Sequence, residues 1–152
     1  DGAASDRFGA SVSVSGDTAI VGSPSDDVGA NANQGSAYVF TRPPAGTTWT
    51  QQAKLLAADG AASDDFGRSV GVSGDIAIIG AGLDNIAAAS DQGSASIFSR
   101  SGATWTQQAQ LTATGGAVND RFGFSVAISG NTALVGAYLD DVGANTDQGS
   151  AY

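Results

Sequence analysis

The sequence predicts an all-β fold built from repeated units of four antiparallel strands, and three observations predict it. The chain is self-similar: DGAASDRFGASVSVSGDTAIVG begins at Asp1, DGAASDDFGRSVGVSGDIAIIG at Asp59 and GGAVNDRFGFSVAISGNTALVG at Gly115, giving periods of 58 and then 56 residues. Apolar and small polar residues alternate in short runs, the period of a strand buried on one face, and no helical period competes. Turn formers punctuate these runs: 22 of 152 residues are Gly, roughly twice the average usage. With 41% hydrophobic residues the chain can bury a core, which a disordered chain cannot.

Residues 1–38 and 115–152 share 25 identities, so the copies share one structure. The expected units are 1–58, 59–114 and a partial third, 115–152. Their difference in length has a local origin. Arg42-Pro43-Pro44-Ala45-Gly46-Thr47-Thr48-Trp49 shortens to Arg100-Ser101-Gly102-Ala103-Thr104-Trp105, which marks a surface turn.

Within the first unit the elements follow in order. Ser11-Val12-Ser13-Val14-Ser15 alternates as a half-buried strand. Gly16-Asp17 supports a tight hairpin into Thr18-Ala19-Ile20-Val21, which reads as more fully buried. A long loop from Gly22 to Gly35 leads to the strand Ser36-Ala37-Tyr38-Val39-Phe40. After the variable turn, Trp49-Thr50-Gln51-Gln52-Ala53-Lys54-Leu55 alternates again. Trp49, Gln51, Ala53 and Leu55 are expected on one face and Thr50, Gln52 and Lys54 on the other, as in an outer strand with a polar exposed face.

Four antiparallel strands in a repeat of this length are the signature of a β-propeller blade. Phe8-Gly9, Phe66-Gly67 and Phe122-Gly123 recur at one place in each unit. The Phe is expected to wedge between neighbouring blades, while the Gly turns the chain tightly into the innermost strand. An ordinary core Phe beside a turn Gly predicts the same burial.

These residues resemble the FG-GAP repeats of integrin α-subunit propellers, and most closely the bacterial variant found in secreted and cell-surface proteins. The FG element is Phe8-Gly9, Phe66-Gly67 and Phe122-Gly123. The GAP element stands as Gly22-Ser23-Pro24, Gly80-Ala81-Gly82 and Gly136-Ala137-Tyr138, and Gly35 to Phe40 recurs as Gly93 to Phe98 and Gly149 to Tyr152. The resemblance implies an extracellular β-propeller module. It departs at the place between the first two strands where many such repeats carry a DxDxDGxxD calcium loop. Here that place holds only Ser15-Gly16-Asp17, Ser73-Gly74-Asp75 and Ser129-Gly130-Asn131, so those ligands have no counterparts.

Composition narrows the chemistry further. The formal charge is −9, all fifteen acids are Asp, and His, Cys, Glu and Met are absent. A Ser-His-Asp triad, a thiol nucleophile, a His or Cys metal set and a Glu base are therefore excluded. An enzyme would rest on Asp, Ser, Tyr and the single lysine, Lys54. Pairs such as Asp26-Asp27, Asp64-Asp65 and Asp140-Asp141 are expected to point apart, with nothing beside them to tune an acid and a base. No catalytic residue is expected. Without basic clusters, neither nucleic acid nor an anionic membrane surface is an expected partner. No apolar run is long enough for a spanning helix, so no membrane insertion is expected either.

One acidic constellation remains. The long loop reads DDVGANANQG from Asp26, DNIAAASDQG from Asp84 and DDVGANTDQG from Asp140. Asp26, Asp84 and Asp140 recur, with an acid or amide at Asn33, Asp91 and Asp147, while Asp6, Asp64 and Asp120 precede each FG. Calcium takes six to eight oxygens and such loops can supply them. Asp and Asn also stabilise turns by bonding to their own backbone. Both readings stand at this point. Trp49 and Trp105 offer a similar choice between stacking on a sugar and covering a blade edge. No Asn-x-Ser/Thr sequon occurs, and the many Ser and Thr leave O-glycosylation open.

Propellers close with typically four to eight blades, whereas this chain supplies about 2.6 repeats, an incomplete arc that starts without Met or a leader and reads as a processed chain or fragment. Such an arc exposes blade faces that need more chain or more copies, since a face that packs on its neighbour within the chain can also pack on the next chain. The expected function is a non-catalytic extracellular or cell-surface structural and adhesion module. Its partners would be further repeats or copies of itself, a cell-surface protein or a glycan. The alternative is a ligand-binding propeller, lectin-like or protein-recognising.

Overall fold

The computed structural model describes residues 2–152. Three antiparallel sheets follow one another along the chain, each a meander in sequence order. Blade 1 holds β1 (Ser11–Ser15), β2 (Thr18–Ser23), β3 (Ser36–Thr41) and β4 (Thr50–Leu55). Blade 2 holds β5 (Ser69–Ser73), β6 (Ile76–Ala81), β7 (Ser94–Ser101) and β8 (Thr104–Leu111). The third sheet holds β9 (Phe122–Ser129), β10 (Thr132–Ala137) and β11 (Ser150–Ala151). This is the expected all-β arc of propeller blades, not closed into a ring.

Local sequence explains each blade. Ser15 pairs with Thr18 across the two-residue loop, and Gly16 takes the left-handed backbone (φ +57°) that an L side chain resists. The hairpin end is clamped by the Arg42 guanidinium on Asp17, Nε to Oδ1 at 2.7 Å, and by Arg100 on Asp75, Nη2 to Oδ1 at 2.6 Å. The place where FG-GAP repeats of integrins carry a calcium loop is thus filled here by a tight turn.

The outer strand departs from the expected alternation. Val39 pairs with Ala53 but Phe40 with Gln51, so Gln52 is the extra residue of a β-bulge. The bulge splits the expected face. Ala53 and Leu55 follow Val39 and Ala37 into the core, while Gln51 and Lys54 share the side of Phe40 and Tyr38. Lys54 is therefore half-buried and ion-paired, not part of a solvated outer face. Gln108 repeats the bulge in β8, where Ile97 pairs with Ala109 and Phe98 with Gln107.

The cores lie between blades. Ile20, Val39 and Leu55 of blade 1 pack with Val70, Val72 and Phe98 of blade 2 around Phe66. Ile78 and Ala95 of blade 2 pack with Val135 and Ala137 of the third sheet around Phe122. Each fully buried large side chain contributes roughly 1.5–3 kcal/mol. Phe66 and Phe122 therefore wedge between neighbours as the repeat implies. The chain reverses tightly at Gly67 (φ +92°), where a Cβ would lie 2.2 Å from the Ser36 carbonyl oxygen of the preceding blade. That contact, and not the turn alone, demands glycine.

Candidate functional site

Two features carry the site chemistry: the acidic rim loops and the two end faces of the arc. In the loops, Asp26 lies buried beneath its own turn, where Oδ2 accepts hydrogen bonds from Ser36 Oγ at 2.5 Å and Tyr38 OH at 3.2 Å and pairs with Lys54 Nζ at 2.8 Å. Burial pushes this carboxyl up. The Lys54, Ser36 and Tyr38 partners outweigh it and hold Asp26 below the usual carboxylate range. Lys54 moves the opposite way, raised by Asp26 against its own desolvation.

The other copies keep the geometry and change the partner. Asp84 Oδ2 accepts from Ser94 Oγ at 2.6 Å and from Gln110 Nε2 at 3.0 Å, Gln110 standing where Lys54 stands in blade 1. Without a cation beside it, burial keeps the Asp84 carboxyl raised. Asp140 accepts from Ser150 Oγ and from Tyr152 OH.

Asn33, Asp91 and Asp147 stand apart from these carboxylates. Each adopts left-handed backbone (φ +51°, +54° and +53°), and each donates its amide at 2.8 Å to the neighbouring Asp27, Asn85 or Asp141 Oδ1. Asn and Asp tolerate that conformation better than most residues, which explains an acid or amide at this position. Asp26, Asp84 and Asp140 instead tie each loop to its third strand. Among the described residues no group of three or more acidic side chains is placed to hold a metal ion.

The acids before each FG are caps. Asp6, Asp64 and Asp120 are buried, and their Oδ2 atoms accept the amides of Ala3, Ala61 and Ala117 at 2.5–2.6 Å. Two left-handed non-glycine residues flank each cap, Ser63 and Asp65 around Asp64 for example. Strain of this kind is held by its surroundings. Asp64 sits deepest in charge terms: burial first, then the Asp84 and Asp59 charges, push it up to about 6, against the Ala61 bond. In the adjacent pairs, Asp26 turns to β3 and β4 while Asp27 turns to the Asn33 amide, so they point apart as expected.

Trp105 covers a blade edge. Its Nε1 donates to Gln52 Oε1 of blade 1 at 2.9 Å, its ring packs against the first core, and the Arg100 guanidinium lies 5.3 Å over it. Trp49 carries Arg42 at 5.2 Å in the same way but has no blade beyond it here. Its ring stays partly exposed.

The end faces show what the repeat leaves open. Val12 and Val14 of β1 are 70% and 67% exposed, whereas Val70 and Val72, their counterparts in β5, are 8% and 6% exposed against blade 1. Phe8 is 55% exposed and Phe66 fully buried. At the other end, Leu134 is 55% exposed where Ile20 and Ile78 are fully buried. Beside Phe8, a cleft of about 300 Å³ opens between Gly2, Tyr38, Phe40 and Gln51. In blade 2 the linker from blade 1 reaches the matching Gln107, the Ala58 amide donating to its Oε1 at 2.9 Å.

Several of these positions recur in the sequence without being singled out. Ser11, Ser69 and Ser125 follow every FG, and the first two donate Oγ at 2.8 Å to the Gly67 and Gly123 carbonyls of the next blade. The signal lies in comparing residues one repeat apart, because each contact joins one unit to the next.

No helix among the described residues is long and apolar enough to cross a membrane. No curated protein matches the chain. A family model described as FG-GAP repeat matches residues 1–40, 49–98 and 105–152, taking in all three FG elements. The chain belongs to the FG-GAP repeat family.

Proposed function

We propose that the chain is a non-catalytic structural and adhesion module of the extracellular space or cell surface, which builds a larger assembly by adding further repeats or copies to its two end faces. The exposure of Val12, Val14 and Leu134, at positions that are buried wherever a neighbouring blade exists, carries this reading. Contiguous apolar side chains left open on a folded surface mark interaction sites. The absence of His, Cys and Glu, and the use of the buried acids as caps and loop ties, support a scaffold over an enzyme.

Light scattering and electron microscopy of the purified chain, with and without a chelator, test it. Growth with concentration into extended particles supports the reading. Closed, monodisperse particles that bind a glycan or protein saturably would replace it with the ligand-binding propeller. The chelator arm carries the calcium proposal for the loops of Asp26, Asp84 and Asp140. Assembly lost on chelation supports it, and assembly indifferent to chelation, with a thermal midpoint unmoved by calcium, removes it.

A further inference from the structure

The two junctions inside the chain are built by one set of contacts. In each, three amides of the segment before FG donate to three carbonyls of the preceding rim loop: Ser63 to Ala32, Asp65 to Asn33 and Phe66 to Gln34 at the first, Asn119 to Ser90, Arg121 to Asp91 and Phe122 to Gln92 at the second. The residues joined at the middle position differ. Asn33 faces Asp65 at the first junction, whereas at the second the Arg121 Nη2 pairs with Asp91 Oδ2 at 3.2 Å.

The same position on the open faces carries Arg7 at the N-terminal end and Asp147 at the C-terminal end, both exposed. That pair repeats the opposite charges of Arg121 and Asp91, whereas the first junction sets the acid Asp65 opposite the neutral Asn33. Arg7 also shares its left-handed backbone (φ +57°) with Arg121 (+61°), and Asp147 (+53°) with Asp91 (+54°). The receiving surface is shaped as well. Gly80 admits the Gly123 carbonyl so closely that a Cβ would lie 1.9 Å from it, and its counterpart Gly136 meets only Ser125 of its own blade.

We propose that the N-terminal face of one copy of this chain docks on the C-terminal face of a second copy, in the register that sets Arg7 against Asp147 and covers Leu134 with Val12. The occupant is a second copy because the two ends carry opposite charges at the position where the second junction forms its Arg121–Asp91 ion pair. This is a heterologous contact, which propagates head to tail unless the ring closes. The proposal rests on the assembly role proposed above and specifies its interface.

Charge reversal tests it. The variants Arg7→Asp and Asp147→Arg each place like charges across the junction, so each alone is expected to associate at least about tenfold more weakly than the wild type. Mixed one to one they restore both opposite pairings, and association is expected to return. Sedimentation velocity at low salt reads the size, and circular dichroism checks that each variant keeps its fold. Leu134→Arg, at an exposed site, is expected to abolish association whatever the charges. If the wild type associates and the reversed variants match it, this interface is overturned while the assembly role stands. A wild type that remains a single 14.9 kDa species at all concentrations overturns this interface and assembly by copies alike, and leaves further repeats as the neighbours of the open faces.

Discussion

Substituting the FG phenylalanine separates an internal wedge from an open one. Phe66 is fully buried between blades, with the Phe98 ring 6.2 Å away, edge to face. Phe66→Ala removes that surface and leaves a void between two sheets that cannot close without moving both. The cost is about 3–5 kcal/mol. A chain of this size loses roughly 2–4 °C per kcal/mol, so the thermal midpoint should fall by about 10 °C. Phe8 occupies the same place in the repeat but stands 55% exposed, with the Tyr38 and Phe40 rings of its own blade 5.4 and 6.2 Å away. With under half of its surface buried, Phe8→Ala should cost about 1 kcal/mol. Thermal unfolding followed by circular dichroism in dilute solution compares them. If copies assemble as proposed and cover Phe8, the cost of Phe8→Ala should rise with protein concentration while that of Phe66→Ala stays large throughout. Equal losses for both variants in dilute solution would refute the reasoning, because the repeat alone, without regard to neighbours, would then set the energy.

Three further outcomes follow from the same geometry. Asp64, at about 6 in the folded chain, titrates near 3.9 when unfolded, so between those values the folded state binds more protons and stability falls as pH rises. Asp64→Asn keeps the acceptor for the Ala61 amide and should be more stable than the wild type at pH 7, by on the order of 1 kcal/mol, with a flatter pH profile in denaturant titrations. Lys54→Ala strands the buried Asp26 carboxylate and should cost about 2 kcal/mol, whereas Lys54→Gln copies the Gln110 arrangement and should cost less than about half of that in the same titrations. Gly67→Ala drives a Cβ to 2.2 Å from the Ser36 carbonyl oxygen and should cost about 3 kcal/mol or more by thermal unfolding. Gly9→Ala meets nothing within 4 Å and should cost only the backbone strain, about 1–2 kcal/mol.

The strands were legible because alternation and turn residues act locally: Ser11–Ser15 and the Gly16-Asp17 hairpin stand where the pattern puts them. The third copy's match to the first carried the blade architecture and the family. The bulge at Gln52 was not legible, since alternation along one strand does not say which residue its partner skips. Alternation therefore turns Lys54 outward and gives no sign of its pairing with Asp26. The recurring Asp and Asn of the rim loops read equally well as metal ligands or turn formers, because both uses select short oxygen-bearing side chains. Coordinates separate their partners: Asp26 reaches β3 and β4, while Asn33 serves the turn. Arg7 and Asp147 lie 140 residues apart in sequence, and their relation emerges only when each junction is set beside the next.

Hydrogen exchange over the first strand tests the central claim most directly, that blades dock by one repeated set of contacts and the open ends reuse it. Inside the chain, the Gly74 and Gly130 amides donate to Ser15 and Ser73 Oγ of the preceding blade at 3.1 and 3.0 Å. Gly16 is their counterpart on the open face, and Ser129 of a second copy is its matching acceptor. With exchange measured in micromolar and in near-millimolar solution, Gly74 and Gly130 should be equally protected in both, and residues 8–16 should gain protection only when concentrated. Exchange over residues 8–16 that is fast at every concentration, while the chain nonetheless assembles, would contradict the account.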